Sequence, residues 1–179
     1  ARKAQGILNA RERIALLCDP GTFTEVGEFA VSLRPEDAER TPAEGIVTGF
    51  GRIDGRDVAV ASFDLTTLGA SSAGNNITKL SYLRRQAVEA GIACIFLVES
   101  AGARMPDIQG ARGMGRIAMT GERGRERHSP WITAILGPSY GMGTWYAVQS
   151  DVAIIRKGAS MSVSSPKVTS VALSEEITA

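Results

Sequence analysis

Apolar residues recur at mostly helical spacing over residues 4–18, where Ala4, Ile7, Leu8, Ile14, Leu17 and Cys18 flank the charged run Arg11-Glu12-Arg13. This pattern predicts an amphipathic helix ending at Asp19-Pro20-Gly21. Residues 31–45 are polar, carry Pro35 and Pro42, and read as a surface loop. The stretch GIVTGFGRIDGRDVAVASFD mixes small, apolar and polar positions around Asp54-Gly55. That dipeptide favours positive φ, so it predicts a hairpin between strands near 46–53 and 57–63.

A small, polar segment, 69–76, precedes ITKLSYLRRQAVEAG, in which Ile77, Leu80, Leu83, Ala87 and Val88 share one helical face. A helix is predicted there, stopped by Gly91. The unbroken apolar run 92–98 is long enough only for a buried strand. After the loop ESAGARMPDIQGARG, the pattern predicts a helix near 113–123, buried strands at 131–136 and 151–155 with a short helix at 142–149 between them, and a last short strand at 160–163. Helices alternating with buried strands make this an α/β chain. No internal repeat or low-complexity segment divides it.

Composition changes this picture little. The 179 residues carry 20 Lys and Arg against 19 Asp and Glu, a formal net charge of +1. Such a balance supplies no strong field toward nucleic acid or an anionic membrane, and neither partner is expected. No apolar run approaches the ~20 residues of a membrane span. The opening ARKAQGILNARERIALL reads as helix, not as a signal peptide, so a cytoplasmic protein is expected, with the mitochondrial matrix as the other compartment compatible with the sequence. Cys18 and Cys94 lack metal-ligand spacing and are expected to be free thiols; no metal is expected.

Ligands of parallel α/β sheets gather at the carboxyl ends of strands. Two such ends stand out: Ser100-Ala101-Gly102-Ala103-Arg104, and Gly137-Pro138-Ser139-Tyr140-Gly141-Met142-Gly143-Thr144. Small residues let backbone approach a ligand, and helix N-termini offer free N–H groups to negative charge. Facing one another, the loops would suit an enolate or thioester oxyanion; ordinary strand-to-helix turns remain the other reading. Gly137–Gly141 matches G-x-S-x-G, but the nucleophile elbow needs a later acid and histidine, and the only histidine, His128, precedes Ser139. His128, beside the alternating charges of GERGRERH (121–128), reads as a solvated residue. No phosphate-loop motif is present, and GFGRIDG misses the dinucleotide fingerprint.

Five segments in order resemble one family. ARERIALLCDPGTFTEVG is similar to the entry segment of the carboxyltransferase β-subunits of propionyl-CoA and related biotin-dependent acyl-CoA carboxylases. GIVTGFGRIDGRDVAVASFDLTTLGAS resembles their first hairpin, ESAGARMPDIQ their acidic-Ser-Gly-Gly-Ala-Arg pattern, LGPSYGMGTWYAV their Gly-Pro-x-x-Gly-Gly-Ala segment, and SVSSPKVTSVALSEEIT a later stretch near the active-site rim. The resemblance implies a crotonase/ClpP-type β-β-α spiral. It implies an acyl-CoA-binding N-domain across 1–179, incomplete at its C-terminus, and a C-domain that binds biotin.

The implied activity moves CO₂ from carboxybiotin, held on a partner carrier domain, to the α-carbon of an acyl-CoA through an enolate held by backbone N–H groups. Biotin is then the cofactor and acyl-CoA the substrate. A biotin carboxylase or biotin carboxyl carrier subunit is the implied partner, and the assembly a homo-oligomer, a hexamer in the family. Position by position, Ala101, Gly102 and Ala103 lie beside the reacting centre, Met142 and Gly143 supply the oxyanion donors, and Gly141 before them gives the backbone access the site needs. Gly69, Ala70 and Ser71 line the CoA adenine, with Lys79 a phosphate contact. Removing one donor should cost roughly 3 kcal/mol in the barrier, and Gly143→Val is expected to abolish turnover without unfolding the protein. Ala101 and Met142 stand where the family commonly has glycine. The same site would serve a malonyl- or methylmalonyl-type acyl-CoA decarboxylase, and a non-catalytic structural subunit is the third reading.

Overall fold

The sequence Asn9-Ala10-Arg11-Glu12 writes a capping box: Asn9 Oδ1 accepts from the Glu12 N–H, and Glu12 Oε2 from the Asn9 N–H, both at 2.9 Å. Helix α1 therefore begins at Ala10 and spans Ala10–Leu17. The helix expected over 4–18 is broken ahead of it. Lys3–Gln5 form one 3-10 turn closed by Gly6 at φ 70°, a left-handed conformation that suits glycine.

The computed structural model describes residues 2–110 and 128–178. The helix predicted near 113–123 and nearly all of the run 121–128 lie outside them. After α1 come β1 (Thr24–Val26), β2 (Ile46–Ile53) and β3 (Arg56–Phe63), joined antiparallel in that order. Asp54 and Gly55 take φ 49° and 74° and make the expected hairpin turn. Then follow α2 (Gly74–Ala90), β4 (Ala93–Ser100), the single turn α3 (Met105–Ile108), β5 (Trp131–Tyr140), α4 (Met142–Gln149), β6 (Val152–Ile155), β7 (Ser160–Ser162) and α5 (Pro166–Leu173).

The described strands form one seven-stranded sheet in the order β1-β2-β3-β4-β5-β6, with β7 also on β5. From β3 onward the pairing is parallel. Its two faces carry separate cores. Phe63, Phe96, Val98, Trp131 and Ile135 pack under Leu80, Leu83 and Ala87 of α2 and Tyr146 of α4. Val47, Val58, Val60, Ile95 and Leu97 pack under Ala10, Ile14 and Cys18. The Phe96 and Tyr146 rings stack at 5.0 Å, with the buried Arg84 guanidinium 5.4 Å from the Tyr146 ring.

Three expectations are corrected. The strand expected to be buried at 151–155 forms as β6 but is exposed along its whole length. The 31–45 segment is not wholly a surface loop: Thr41, Ala43 and Glu44 are buried, Glu44 at 0% exposure. The strand expected at 131–136 runs on to Tyr140, because its first half pairs with β6 and its second half with β7. That fork brings the end of β5 to the start of α4.

Candidate active site

The two strand ends singled out by the sequence meet in space. Gly102 (φ 103°) and Gly141 (φ 60°) are in backbone conformations that favour glycine, and a Cβ on Gly141 would lie 3.4 Å from Gly102 Cα and 3.8 Å from Ala103 N. Gly141 donates to the carbonyls of Ser162 and Val163, and Thr144 Oγ1 donates to those of Ser139 and Ser162. The start of α4 is thus fixed to β7. Its first-turn amides, Met142 and Gly143, have no carbonyl one turn behind them, and no hydrogen bond is made by either among the described residues. The same holds for the Ala103 amide. Unpaired amides at a helix start can hold a carbonyl oxygen or the anion it becomes.

Gly143 has a second role. A Cβ there would lie 2.6 Å from Ser139 Oγ and 3.1 Å from both Ser100 Cβ and Val98 Cγ1. The expectation that Gly143→Val leaves the fold intact is therefore not supported by the packing. The Met142 side chain is half-buried and packs against the Phe63–Tyr146 core, so its bulk is partly directed inward.

The third predicted segment joins the same cluster. Leu68, Gly69 and Ala70 all have positive φ, at 44°, 69° and 46°. Ala101 N–H donates to Gly69 O, and Ser72 N–H to Gly102 O, each at 2.8 Å. Ser100 Oγ donates to Ala70 O and accepts from the Gly102 N–H. Ala101 fits where glycine was expected because Gly69 opposite has no side chain; a Cβ on Gly69 would come within 2.7 Å of the Ala101 Cβ. Ala70 and Ser71 are buried, leaving Gly69 the more open of the three.

Lys79 is not brought to this cluster. Its ammonium is buried and donates to Ala43 O at 2.7 Å and Ile46 O at 2.6 Å. Burial pulls its pKa down to about 8, against the opposing pull of Glu25 and Glu44. A side chain held in this way fastens the β2 entrance, with its ammonium buried and two of its three donors engaged by backbone carbonyls. Ser139 is fully buried in β5, which is no place for an exposed elbow nucleophile, and His128 is exposed on the loop before β5.

Sequence reasoning passed over three buried polar residues. Glu44 binds Arg104, Nη1 to Oε1 at 2.8 Å. Asn76 Oδ1 accepts from the Ala73 N–H, while its Nδ2 donates to Glu44 O and Ser71 O. Glu99, on the opposite face of β4, binds both Arg2 and Arg13. Only Asn76 carried a readable signal, three positions after the helix N-cap.

A mixed α/β sheet with unpaired helix-start amides at the ends of its parallel strands defines a class of proteins able to bind a carbonyl group through backbone. Within that class, the chain belongs to the carboxyl transferase family: residues 1–179 match the Carboxyl transferase domain. It is 34% identical to the methylmalonyl-CoA carboxyltransferase 12S subunit of Propionibacterium freudenreichii subsp. shermanii, over 98% of this chain and 34% of that one. Identity to the mitochondrial propionyl-CoA carboxylase beta chain of Mus musculus is 32%, over 99% of this chain and 34% of that one. The crystal structure of transcarboxylase 12S, a hexamer with methylmalonyl-CoA bound, superposes with a TM-score of 0.83 at 34% identity, covering 99% of this chain and 36% of that one. The fold is the crotonase-like α/β fold of these carboxyltransferases. This chain spans about a third of the length of the curated relatives it matches.

Proposed function

We propose that this chain is part of the acyl-CoA-binding half of a biotin-dependent acyl-CoA carboxyltransferase. The observation that carries the reading is the close approach of Gly102 and Ala103 to Gly141, at the start of α4, where the Met142 and Gly143 amides, like that of Ala103, make no hydrogen bond among the described residues. Deprotonating the α-carbon of a thioester puts negative charge on its oxygen. Fixed donors aimed at that oxygen favour the enolate over the ground state, which is the differential binding that lowers a barrier. Among the described residues no side-chain base stands in the cluster, so its contribution is to bind and orient the thioester and stabilise its oxygen. Glycine at 102 and 141 lets the backbone close to that distance.

Gly69 at the mouth of the 68–71 turn is the part of the proposed CoA-adenine contact that remains open to a ligand; Lys79 is withdrawn from it. Biotin, held on a carrier partner, supplies the carboxyl group. No residue of this chain is assigned to biotin. Homo-oligomerisation, with a hexamer as in the transcarboxylase 12S structure, belongs to the same proposal. Among the described residues, no helix is long and apolar enough to cross a membrane. The proposed location is the cytoplasm, with the mitochondrion as the alternative because one relative is a mitochondrial protein.

The test offers malonyl-CoA and methylmalonyl-CoA to the full-length protein with and without free biocytin, following loss of the carboxylated thioester. Loss that requires biocytin is expected. Loss without it would replace this reading by the decarboxylase, and no loss with CoA still bound would favour a non-catalytic subunit.

A further inference from the structure

Three loops meet beneath the cluster: 42–45, 68–73 and 100–104. Two of them hold L-residues in the left-handed region, Ala43 and Glu44 at φ 51° and 50°, Leu68 and Ala70 at φ 44° and 46°. Such conformations persist only where their surroundings over-determine them. The determinant here is polar and buried. Glu44 and Arg104, at 0% and 6% exposure, pair across 60 positions of sequence. The same guanidinium donates from Nε to Ser71 Oγ at 3.2 Å and from Nη2 to Ser71 O at 3.4 Å. One side chain thus grips both other loops from within its own.

A buried ion pair is a weak source of stability, because desolvation offsets much of the attraction. Glu44 illustrates this: burial, the larger effect, lifts its pKa despite Arg104 beside it, and its Oε2 has no partner among the described residues. What a planar guanidinium does supply is fixed direction. Arg104 N–H donates to Ser72 O while Ser72 N–H donates to Gly102 O, both at 2.8 Å, so a shift of Arg104 is passed directly to Gly102. Gly102 in turn contacts Gly141, the N-cap of α4.

On the carbonyl-oxygen site proposed above, we infer that Arg104 and Glu44 are positioning residues: Glu44 ties Arg104 to the 42–45 loop, Arg104 through Ser71 sets the register between the 68–73 and 100–104 loops, and through Gly102 this fixes the spacing of the amides of the site. They touch no substrate. Loosening them displaces donors without removing any.

The experiment compares Glu44→Gln and Arg104→Lys with wild type in the full-length protein. Each keeps approximate shape and loses, respectively, the charge or the fork. Carboxyl-transfer kcat is expected to fall by about 100-fold, the order a 1 Å misplacement produces, with KM for the thioester changed much less. Hydrogen exchange at the amides of Ser72, Ala101 and Arg104 should accelerate while the β2–β3 hairpin is unaffected. Folded variants with wild-type kcat and unchanged exchange overturn the inference. If both variants fail to fold, the wild-type protein decides: those three amides must exchange as one slow set, and independent, fast exchange overturns it. Wild-type protein that transfers no carboxyl group would sink the functional reading alone, since exchange still reports on the clamp.

Discussion

Gly143 lies directly against Ser139 across the first turn of α4, so that a Cβ on the glycine would stand 2.6 Å from the serine Oγ. The serine is fully buried and its hydroxyl has no hydrogen-bond partner among the described residues. The glycine is therefore fixed twice, by the amide it offers and by the wall it leans on. Gly143→Ala is expected to lower stability by about 2 kcal/mol through overpacking. Ser139→Ala removes an unsatisfied buried hydroxyl and should be neutral or slightly stabilising. Combining the two should restore part of the loss, because Ser100 Cβ and Val98 Cγ1, both 3.1 Å away, still resist. Urea midpoints of the four proteins read this directly. A double variant no better than Gly143→Ala would show that Ser139 is not the main obstacle.

Lys79 gives the protein a pH dependence with a definite sign. Its pKa is about 8 in the fold against an ordinary 10.5. Between these values the unfolded chain keeps a proton that the folded chain has released, so stability rises with pH across that window. Below pH 8 burying the charged ammonium costs up to about 3 kcal/mol. Relative to Lys79→Met, wild type should become progressively more stable from pH 8 to 10. The same variant should leave CoA affinity of the folded protein unchanged, because the ammonium is occupied by Ala43 O and Ile46 O. Titration of CoA into both proteins checks the second point; a clear loss of affinity would return Lys79 to the ligand.

The legible parts of this chain are those set by local pattern. Ile77, Leu80, Leu83 and Ala87 do form the buried stripe of α2, Gly91 does cap it at φ 67°, and Asp54-Gly55 does turn the hairpin. The two glycine-bearing strand ends were also found, because small residues between a buried strand and a helix are a local signal. What the sequence concealed depends on distant partners. Residues 137–140 read as a turn until three residues of β7 hold them extended. Helix α5 opens with Ser165 as cap and Pro166 at its first position, a signal present but not used. Glu44 looked like a solvated residue in a proline-containing loop, and only Arg104, far along the chain, accounts for its burial. Lys79 was assigned by resemblance alone, and side-chain direction is what resemblance transfers least well.

Gly69 and Ala101 are complementary in volume. The glycine has φ 69° and faces the Ala101 Cβ, which a Cβ of its own would approach to 2.7 Å. Two separable effects therefore oppose Gly69→Ala: a left-handed backbone that an L-residue adopts at a cost of about 1 kcal/mol, and a collision. Ala101→Gly relieves the second and not the first. The variants Gly69→Ala, Ala101→Gly and their combination form a double-mutant cycle, with a favourable coupling of about 1 kcal/mol expected between contacting positions. Thermal or urea unfolding supplies the stabilities. Because Ala101 N–H donates to Gly69 O, the backbone contact survives in every member of the cycle, and the coupling isolates the side-chain collision. Additive effects would mean that the loops separate freely to admit a methyl group, in which case the spacing between them is not rigidly held.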